Sequence, residues 1–163
     1  MEEVIKVGMA ELKVAKAPGK IAALGLGSCV AICAYDSVVK VGGIAHVMLP
    51  LSSMAVGDNN RAKFGDTALS FLLEEIAKIG AEPHRIDIKL VGGAEMFVHE
   101  IKNERLKIGE RNIRVIEEAC QNLGLKISGR CVGGHTGKSV TLDLENGEVQ
   151  VRTIDQTVTM SKI

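Results

Sequence analysis

Short apolar runs separated by glycine and polar residues fill the first fifty positions of the chain and predict β-strands. The runs cover residues 4–7, 12–14, 21–26, 29–35 and 40–49. Only a turn-sized gap, opened by Asp36 and Ser37, separates the last two runs, so we expect them to pair as a β-hairpin. Pro50 ends the second of these strands, and a polar loop follows.

Helical periodicity is found twice in the rest of the chain. Apolar residues recur at helical spacing over 64–79 before Gly80, and again over 110–123 before Gly124. Further strands are predicted over 86–91, 125–132, 139–144 and 148–154, the last two flanking the hairpin signal Asn146-Gly147. This order predicts one α+β domain over residues 1–163, with mixed, largely antiparallel sheet layers and two main packed helices.

Composition and charge exclude several classes of function. The 20 Lys and Arg residues balance 20 Asp and Glu residues, so no positive field gathers nucleic acid or anionic lipid. One tyrosine and three phenylalanines are too few for a base-stacking platform. The acidic start does not resemble a signal peptide, and no apolar stretch is long enough to cross a bilayer. We therefore expect a cytoplasmic protein without membrane insertion or nucleic-acid partners.

The four cysteines of the chain are the first candidates for chemistry. In the cytoplasm they should be reduced, so each is either a core residue or a reactive group. No metal-ligand spacing or cofactor fingerprint accompanies them; Gly137-Lys138-Ser139, for example, lacks the first glycine of a phosphate-binding loop. The sequence therefore predicts neither a metal nor a cofactor. The cysteines are Cys29, Cys33, Cys120 and Cys131.

Cys29 is the strongest of these candidates because it follows the glycine-rich turn 25–28. Small residues there let a substrate carbonyl approach the backbone and leave N–H groups free to meet it. If residues 36–39 form the hairpin loop, His46 lies directly opposite Cys29, within reach of a thiol–imidazole hydrogen bond. The imidazole would then take the thiol proton or form a thiolate–imidazolium pair. The alternative interpretation is a small core cysteine beside a hydrogen-bonded core histidine.

Five segments of the chain, in order and spread over residues 3–155, resemble the CheD family of chemoreceptor glutamine deamidases. Five such motifs in one order are a specific resemblance, whereas one alone would be weak. The segments are LGLGSCV at 24–30, VGGIAHVMLP at 41–50, VGGAEMF at 91–97, IGERN at 108–112 and GGHTGKSV at 133–140.

The resemblance implies a protein-glutamine glutaminase, an amidohydrolase that converts selected glutamines of methyl-accepting chemotaxis receptors to glutamates through a cysteine thioester. The nucleophile of the family matches Cys29, and its base matches His46. Backbone N–H groups near Gly27 and Ser28 would stabilise the oxyanion. The implied partners are the chemotaxis receptors and the phosphatase CheC, which binds some members of the family.

The sequence departs from the family pattern at Ala23, where a third catalytic residue, commonly a threonine, is expected. Thr136, Ser28 or a backbone carbonyl are then the candidates for orienting His46. Two alternatives stay open, the first favoured by Ala23 and the second because the same thioester route would serve it. One is a non-catalytic adaptor that binds the receptor or CheC, and the other is a cysteine-dependent receptor methylesterase.

Overall fold

The computed structural model describes residues 3–96 and 107–161. Within these residues the chain forms ten strands, arranged in two five-stranded sheets, and two α-helices. In chain order they are β1 (Val4–Lys6), β2 (Leu12–Lys16), β3 (Lys20–Leu26), β4 (Val30–Asp36), β5 (Val41–Val47), α1 (Gly65–Lys78), β6 (Ile86–Gly92), α2 (Ile108–Asn122), β7 (Ile127–Val132), β8 (Lys138–Asp143), β9 (Val149–Arg152) and β10 (Thr157–Met160).

The first sheet has the strand order β1-β3-β8-β9-β10, and the second has β2-β5-β4-β6-β7. The pairs β1–β3 and β6–β7 are parallel, and the other neighbours are antiparallel. The chain crosses from the first sheet to the second in the turn between β1 and β2. This turn lies over the end of β5, where it contacts His46.

Strand β4 lies in the middle of the second sheet and is buried on both faces. Val30 and Ile32 pack toward the helices, whereas Cys33 and Tyr35 pack toward the first sheet. The strand therefore reads as a continuous apolar run rather than an alternating one, as expected where both faces of a sheet are covered. The molecule thus has three layers: the helices, the second sheet and the first sheet.

Both helices bury one apolar face on the second sheet. Leu72 and Ile76 of α1 lie in the same core as Ile116 of α2. Gly43 of β5 allows α1 to approach closely, because a Cβ there would lie 2.9 Å from a methyl carbon of Leu72. Neither helix of the described residues is long and apolar enough to span a lipid bilayer.

The α+β class predicted from the sequence is confirmed, and both helices begin and end within two residues of the predicted bounds. Strand β10 was not predicted, because its polar–apolar alternation, TVTM, covers only four residues and most of them are exposed. The parallel pairings were not predicted either, since each joins strands that are separated by other elements in the chain.

The hairpin of β4 and β5 forms, but the predicted register is wrong. Ala31 lies directly opposite His46, where the prediction placed Cys29. The loop consists of residues 37–40, because Asp36 ends β4 instead of opening the loop. Cys29 therefore lies two residues before the direct partner of His46, on the same face of the sheet as His46.

Asp36 stays in the strand because its carboxylate is fully buried and bonded. It accepts hydrogen bonds from the backbone N–H groups of Val38 and Glu82 and from the guanidinium of Arg85. Burial alone would raise the pKa of Asp36, but the hydrogen bonds, led by that of Arg85, outweigh burial and lower it. Contacts with residues more than forty positions away therefore set the register of the hairpin.

Candidate active site

Cys29 lies between the glycine-rich turn and β4, with its side chain in the core between the two sheets. Only 6% of the residue is exposed. Burial raises the pKa of the Cys29 thiol above its ordinary value of 9.0, and a hydrogen bond from its own backbone N–H offsets only part of that increase. The resting side chain is therefore a neutral thiol at physiological pH.

His46 projects from β5 on the same face as Cys29. It is the direct partner of Ala31, so Cys29 and His46 are diagonal neighbours across the two strands. The Cβ atoms of such neighbours are generally separated by somewhat less than about 7–8 Å, still within reach of long and aromatic side chains. Both side chains are buried, at the same end of the second sheet.

The two ring nitrogens of His46 have different surroundings. Nδ1 lies 3.4 Å from the backbone carbonyl oxygen of Val7. A carbonyl can only accept, so the hydrogen is on Nδ1 and the lone pair is on Nε2. Nε2 is buried and has no hydrogen-bond partner in residues 3–96 and 107–161. The free lone pair makes this nitrogen a proton acceptor.

Burial also sets the charge of this ring. It lowers the pKa of His46 below the ordinary value of 6.5, although the Val7 carbonyl and the negative charge of Glu11 oppose the shift. The imidazole is consequently neutral at physiological pH. The site therefore contains a neutral thiol and a neutral base rather than an ion pair.

The β1–β2 turn also fixes the backbone of His46. The N–H of Ala10 donates to the carbonyl of His46 at 3.0 Å, and the N–H of His46 donates to the carbonyl of Glu11 at 2.9 Å. Next to this turn is a cleft of about 260 Å³ that reaches His46. Its other lining residues are Lys6, Val7, Gly8, Met9, Leu24 and Gly25.

Three consecutive carbonyl groups before β4 are each held by a hydrogen bond. The pairs are Gly27 O with Ala94 N at 2.9 Å, Ser28 O with Asn112 Nδ2 at 3.0 Å, and Cys29 O with Gly93 N at 2.8 Å. In contrast, the N–H groups of residues 27–29 donate to no other residue in the described part of the chain. Backbone donors held in this way can receive a developing negative charge.

The loop after β6 supports the cysteine turn at very short range. Gly92 has a φ of +112°, and a Cβ there would lie 2.3 Å from the carbonyl oxygen of Cys29. Only glycine combines this conformation with such a close approach. The resemblance motifs at 24–30 and 91–97 are therefore in direct contact.

Glu95 connects this loop to the resemblance motifs at 108–112 and 133–140. Its carboxylate accepts a hydrogen bond from the N–H of Glu110 in the first turn of α2, at 2.9 Å. Its own N–H donates to Gly134 O, and its carbonyl accepts from His135 Nδ1, both at 2.9 Å. Sequence analysis did not assign a role to Glu95 or to Asn112, although both lie in segments that carried the resemblance.

Neither Thr136 nor Ala23 provides the hydrogen bond to the imidazole of His46. Thr136 is exposed and lines a different cleft, together with His135 and Lys138. Ala23 is fully buried in β3, where its methyl group packs in the core between the sheets. The hydrogen-bond partner of the His46 ring is thus a backbone carbonyl rather than Thr136 or Ser28.

The other three cysteines differ from Cys29 in their surroundings. Cys33 and Cys120 are buried, and burial raises their pKa values to about 12 and about 11, respectively. Cys131 is half-buried in β7. None of the three follows a turn with free backbone N–H groups comparable to that before Cys29.

Comparison with known proteins shows the family of this chain. A family model described as CheD chemotactic sensory transduction matches residues 48–153, a region that begins after Cys29 and His46. The probable chemoreceptor glutamine deamidase CheD of Caldanaerobacter subterraneus is 42% identical over 152 residues, which cover 93% of this chain and 94% of the relative. The probable chemoreceptor glutamine deamidase CheD of Pyrococcus horikoshii is 42% identical over 159 residues, 98% of each protein. The chemoreceptor glutamine deamidase CheD of Halalkalibacterium halodurans is 40% identical over 157 residues, 96% of this chain and 97% of the relative. On these matches, the chain belongs to the CheD family.

Proposed function

We propose that this protein is a chemoreceptor glutamine deamidase in which Cys29 is the nucleophile and His46 is the general base. The names of its relatives support the reaction. The observation that carries the residue roles is the unpaired Nε2 of His46, buried on the same sheet face as the thiol of Cys29. A buried lone pair without a donor is costly for a purely structural histidine.

The first half of the reaction transfers the acyl group to sulfur. Nε2 of His46 takes the thiol proton as the sulfur of Cys29 forms a bond to the side-chain carbonyl carbon of the glutamine. The carbonyl electrons move to oxygen, where the backbone N–H groups of residues 27–29 stabilise the charge. The C–N bond then breaks, the nitrogen takes the proton from Nε2, and ammonia leaves a thioester behind.

The second half of the reaction hydrolyses this thioester. Nε2 accepts a proton from water as the water oxygen attacks the thioester carbon. The C–S bond breaks, the sulfur takes the proton from Nε2, and the side chain leaves as a carboxyl group. Glutamine thus becomes glutamate, and both enzyme groups return to their neutral forms. The cycle requires neither metal nor cofactor.

A protein substrate fits the surface around the cleft better than free glutamine does. The side chains of Met9 and Leu24, which line the cleft, are 56% and 52% exposed, and Met96, next to Gly27, is 46% exposed. Exposed apolar side chains around a cleft are typical of protein interaction sites. We propose that the receptors are bound here in the cytoplasm, and that CheC is a further partner.

Product analysis distinguishes this proposal from its alternatives. A purified chemoreceptor that carries glutamine and methyl-ester side chains is incubated with the protein, and ammonia and methanol are measured together. Ammonia alone supports the deamidase, methanol alone supports a methylesterase, and binding without either product supports an adaptor.

The matched variants are Cys29→Ala and Cys33→Ala, which remove thiols from the same sheet face. Cys29→Ala should abolish ammonia release, whereas Cys33→Ala should retain it. A folded Cys29→Ala protein that still released ammonia would rule out the proposed nucleophile.

A further inference from the structure

Asn112 joins the two chain segments that carry the proposed catalytic pair. It lies in α2 and is fully buried. Its Nδ2 donates to the carbonyl of Ser28 at 3.0 Å and to the carbonyl of Met48 at 3.2 Å. Ser28 directly precedes Cys29, and Met48 follows the strand that contains His46. A single amide group therefore uses both of its hydrogens to bridge these segments.

The other atom of this amide is left without a partner. Oδ1 of Asn112 is buried and accepts no hydrogen bond in the described part of the chain. An unsatisfied acceptor in the interior lowers the stability of the fold. Packing alone would be served by an apolar side chain of the same size. The amide therefore calls for a role other than filling space.

The bond to Ser28 has a specific geometric effect. The carbonyl of Ser28 and the N–H of Cys29 belong to one planar trans peptide group, so they point in opposite directions. When Asn112 holds the carbonyl, it also aims the N–H of Cys29 away from α2. That N–H is directed at the sulfur of Cys29, where the attacked carbonyl must sit.

We infer that Asn112 is a positioning residue for the deamidation proposed above: it orients the oxyanion-stabilising N–H of Cys29 and fixes the turn relative to the His46 strand. This inference rests on the proposed function. Asn112 does not touch the substrate in this arrangement. Its contribution acts through the peptide group, so it should appear in the acyl-transfer rate and not in receptor binding.

The test compares acyl transfer with alkylation at the same sulfur. Asn112→Leu has a similar volume but no donor. It should lower kcat for ammonia release by about tenfold to a hundredfold, as misplacement of an oxyanion donor does, with KM nearly unchanged. Alkylation of Cys29 by iodoacetamide, followed by peptide mapping, should proceed at nearly the wild-type rate, because displacement at a saturated carbon develops no oxyanion.

Asn112→Asp provides an independent readout. An ionised carboxylate cannot donate to Ser28, whereas a protonated carboxyl can donate one hydrogen. The activity of Asn112→Asp relative to wild type should therefore rise as the pH falls. A role for Asn112 in packing alone, without its hydrogen bond to Ser28, predicts no such recovery.

Ile116→Ala is the control for loss of stability. Ile116 lies one turn further along α2 in the apolar core, and it does not bond to either carbonyl. This variant should lower the unfolding midpoint but retain kcat. The inference is overturned if a folded Asn112→Leu protein has the wild-type kcat, or if Ile116→Ala loses as much kcat as Asn112→Leu. Either result leaves the proposed deamidase function standing. A wild-type protein that releases no ammonia overturns both.

Discussion

Burial favours the neutral forms of both titrating groups of the site, the thiol of Cys29 and the imidazole of His46. It raises the pKa of Cys29 and lowers that of His46. A thiolate–imidazolium pair would need the opposite shifts, since such thiols are activated by a lowered pKa. In the proposed reaction, the proton therefore leaves the thiol during the attack on the glutamine rather than before it.

The pH dependence of kcat/KM should reflect this neutral pair. We expect a plateau that extends below pH 6.5 on the acid side and above pH 9.0 on the alkaline side. On the acid limb, kcat/KM falls because His46 becomes protonated and can no longer act as a base. On the alkaline limb, it falls because Cys29 has lost the proton that the leaving ammonia needs. Initial rates of ammonia release across this range test it. A limb between these two values would instead indicate a preformed ion pair.

Glu11 gives a second way to test the assignment of the acid limb. Its negative charge raises the pKa of His46, so Glu11→Gln should lower that pKa further and move the acid limb to lower pH. The plateau rate should stay close to that of wild type, because Glu11 does not bond to the ring. The control is Glu118→Gln, which removes an exposed negative charge on α2 and should leave the acid limb at the same pH. If the acid limb of Glu11→Gln lay at the same pH as that of wild type, the limb would have to be assigned to a group other than His46.

At the scale of elements, the sequence was informative where the signal is local. Within the described residues, helical spacing and apolar runs predicted both helices and nine of the ten strands, because each pattern is contained within its own element. The predicted register of β4 and β5 was wrong because Asp36 is held by hydrogen bonds from Glu82 and Arg85, which lie outside the hairpin sequence. Cys29 and His46 were predicted from the glycine-rich turn, the hairpin spacing and the resemblance, and their catalytic roles stay predictions. The Val7 carbonyl, a backbone group, has no signature in a sequence.

The role of Asp36 in closing the hairpin can be measured through stability. Asp36→Asn should lower the free energy of unfolding by about 1.5–3 kcal/mol at pH 7, as expected for hydrogen bonds to a charged group. Because the pKa of Asp36 is lowered in the folded protein, its contribution is present above pH 3.8 and is lost as the pH falls through that lower value.

Denaturant unfolding at several pH values compares wild type with Asp36→Asn. The difference between the two proteins should shrink as the solution becomes more acidic than pH 3.8. A difference that stayed constant down to the acid transition would show that the carboxylate charge is not the stabilising feature.

At the scale of the whole molecule, the second sheet belongs to both hydrophobic cores. Its strand β4 contributes alternate residues to the helix side and to the core between the sheets. Neither core can be lost without exposing one face of this strand. We therefore predict that residues 1–163 unfold as one cooperative domain.

Two core substitutions and two probes test this cooperativity. Leu72→Ala opens a cavity on the helix side, and Leu142→Ala opens one between the sheets; each should cost about 2–5 kcal/mol. Far-UV circular dichroism follows the helices, and the single tyrosine, Tyr35, follows the core between the sheets by fluorescence. Both probes should report one shared midpoint in each variant. Two separate midpoints would mean that the layers unfold independently.

The carbonyl of Val7, which orients His46, is a part of the proposed active site that point mutations cannot remove. Every amino acid carries a backbone carbonyl, so no substitution at position 7 deletes the acceptor that orients His46. In a saturation mutagenesis screen for deamidase activity, substitutions at Cys29 and His46 should therefore abolish activity. At position 7, residues with side chains of similar shape should retain it. Proline is the exception, since the N–H of Val7 donates to Ala22 at 2.8 Å. The orientation of the base is thus robust to point mutation and can drift only through changes in the path of the chain.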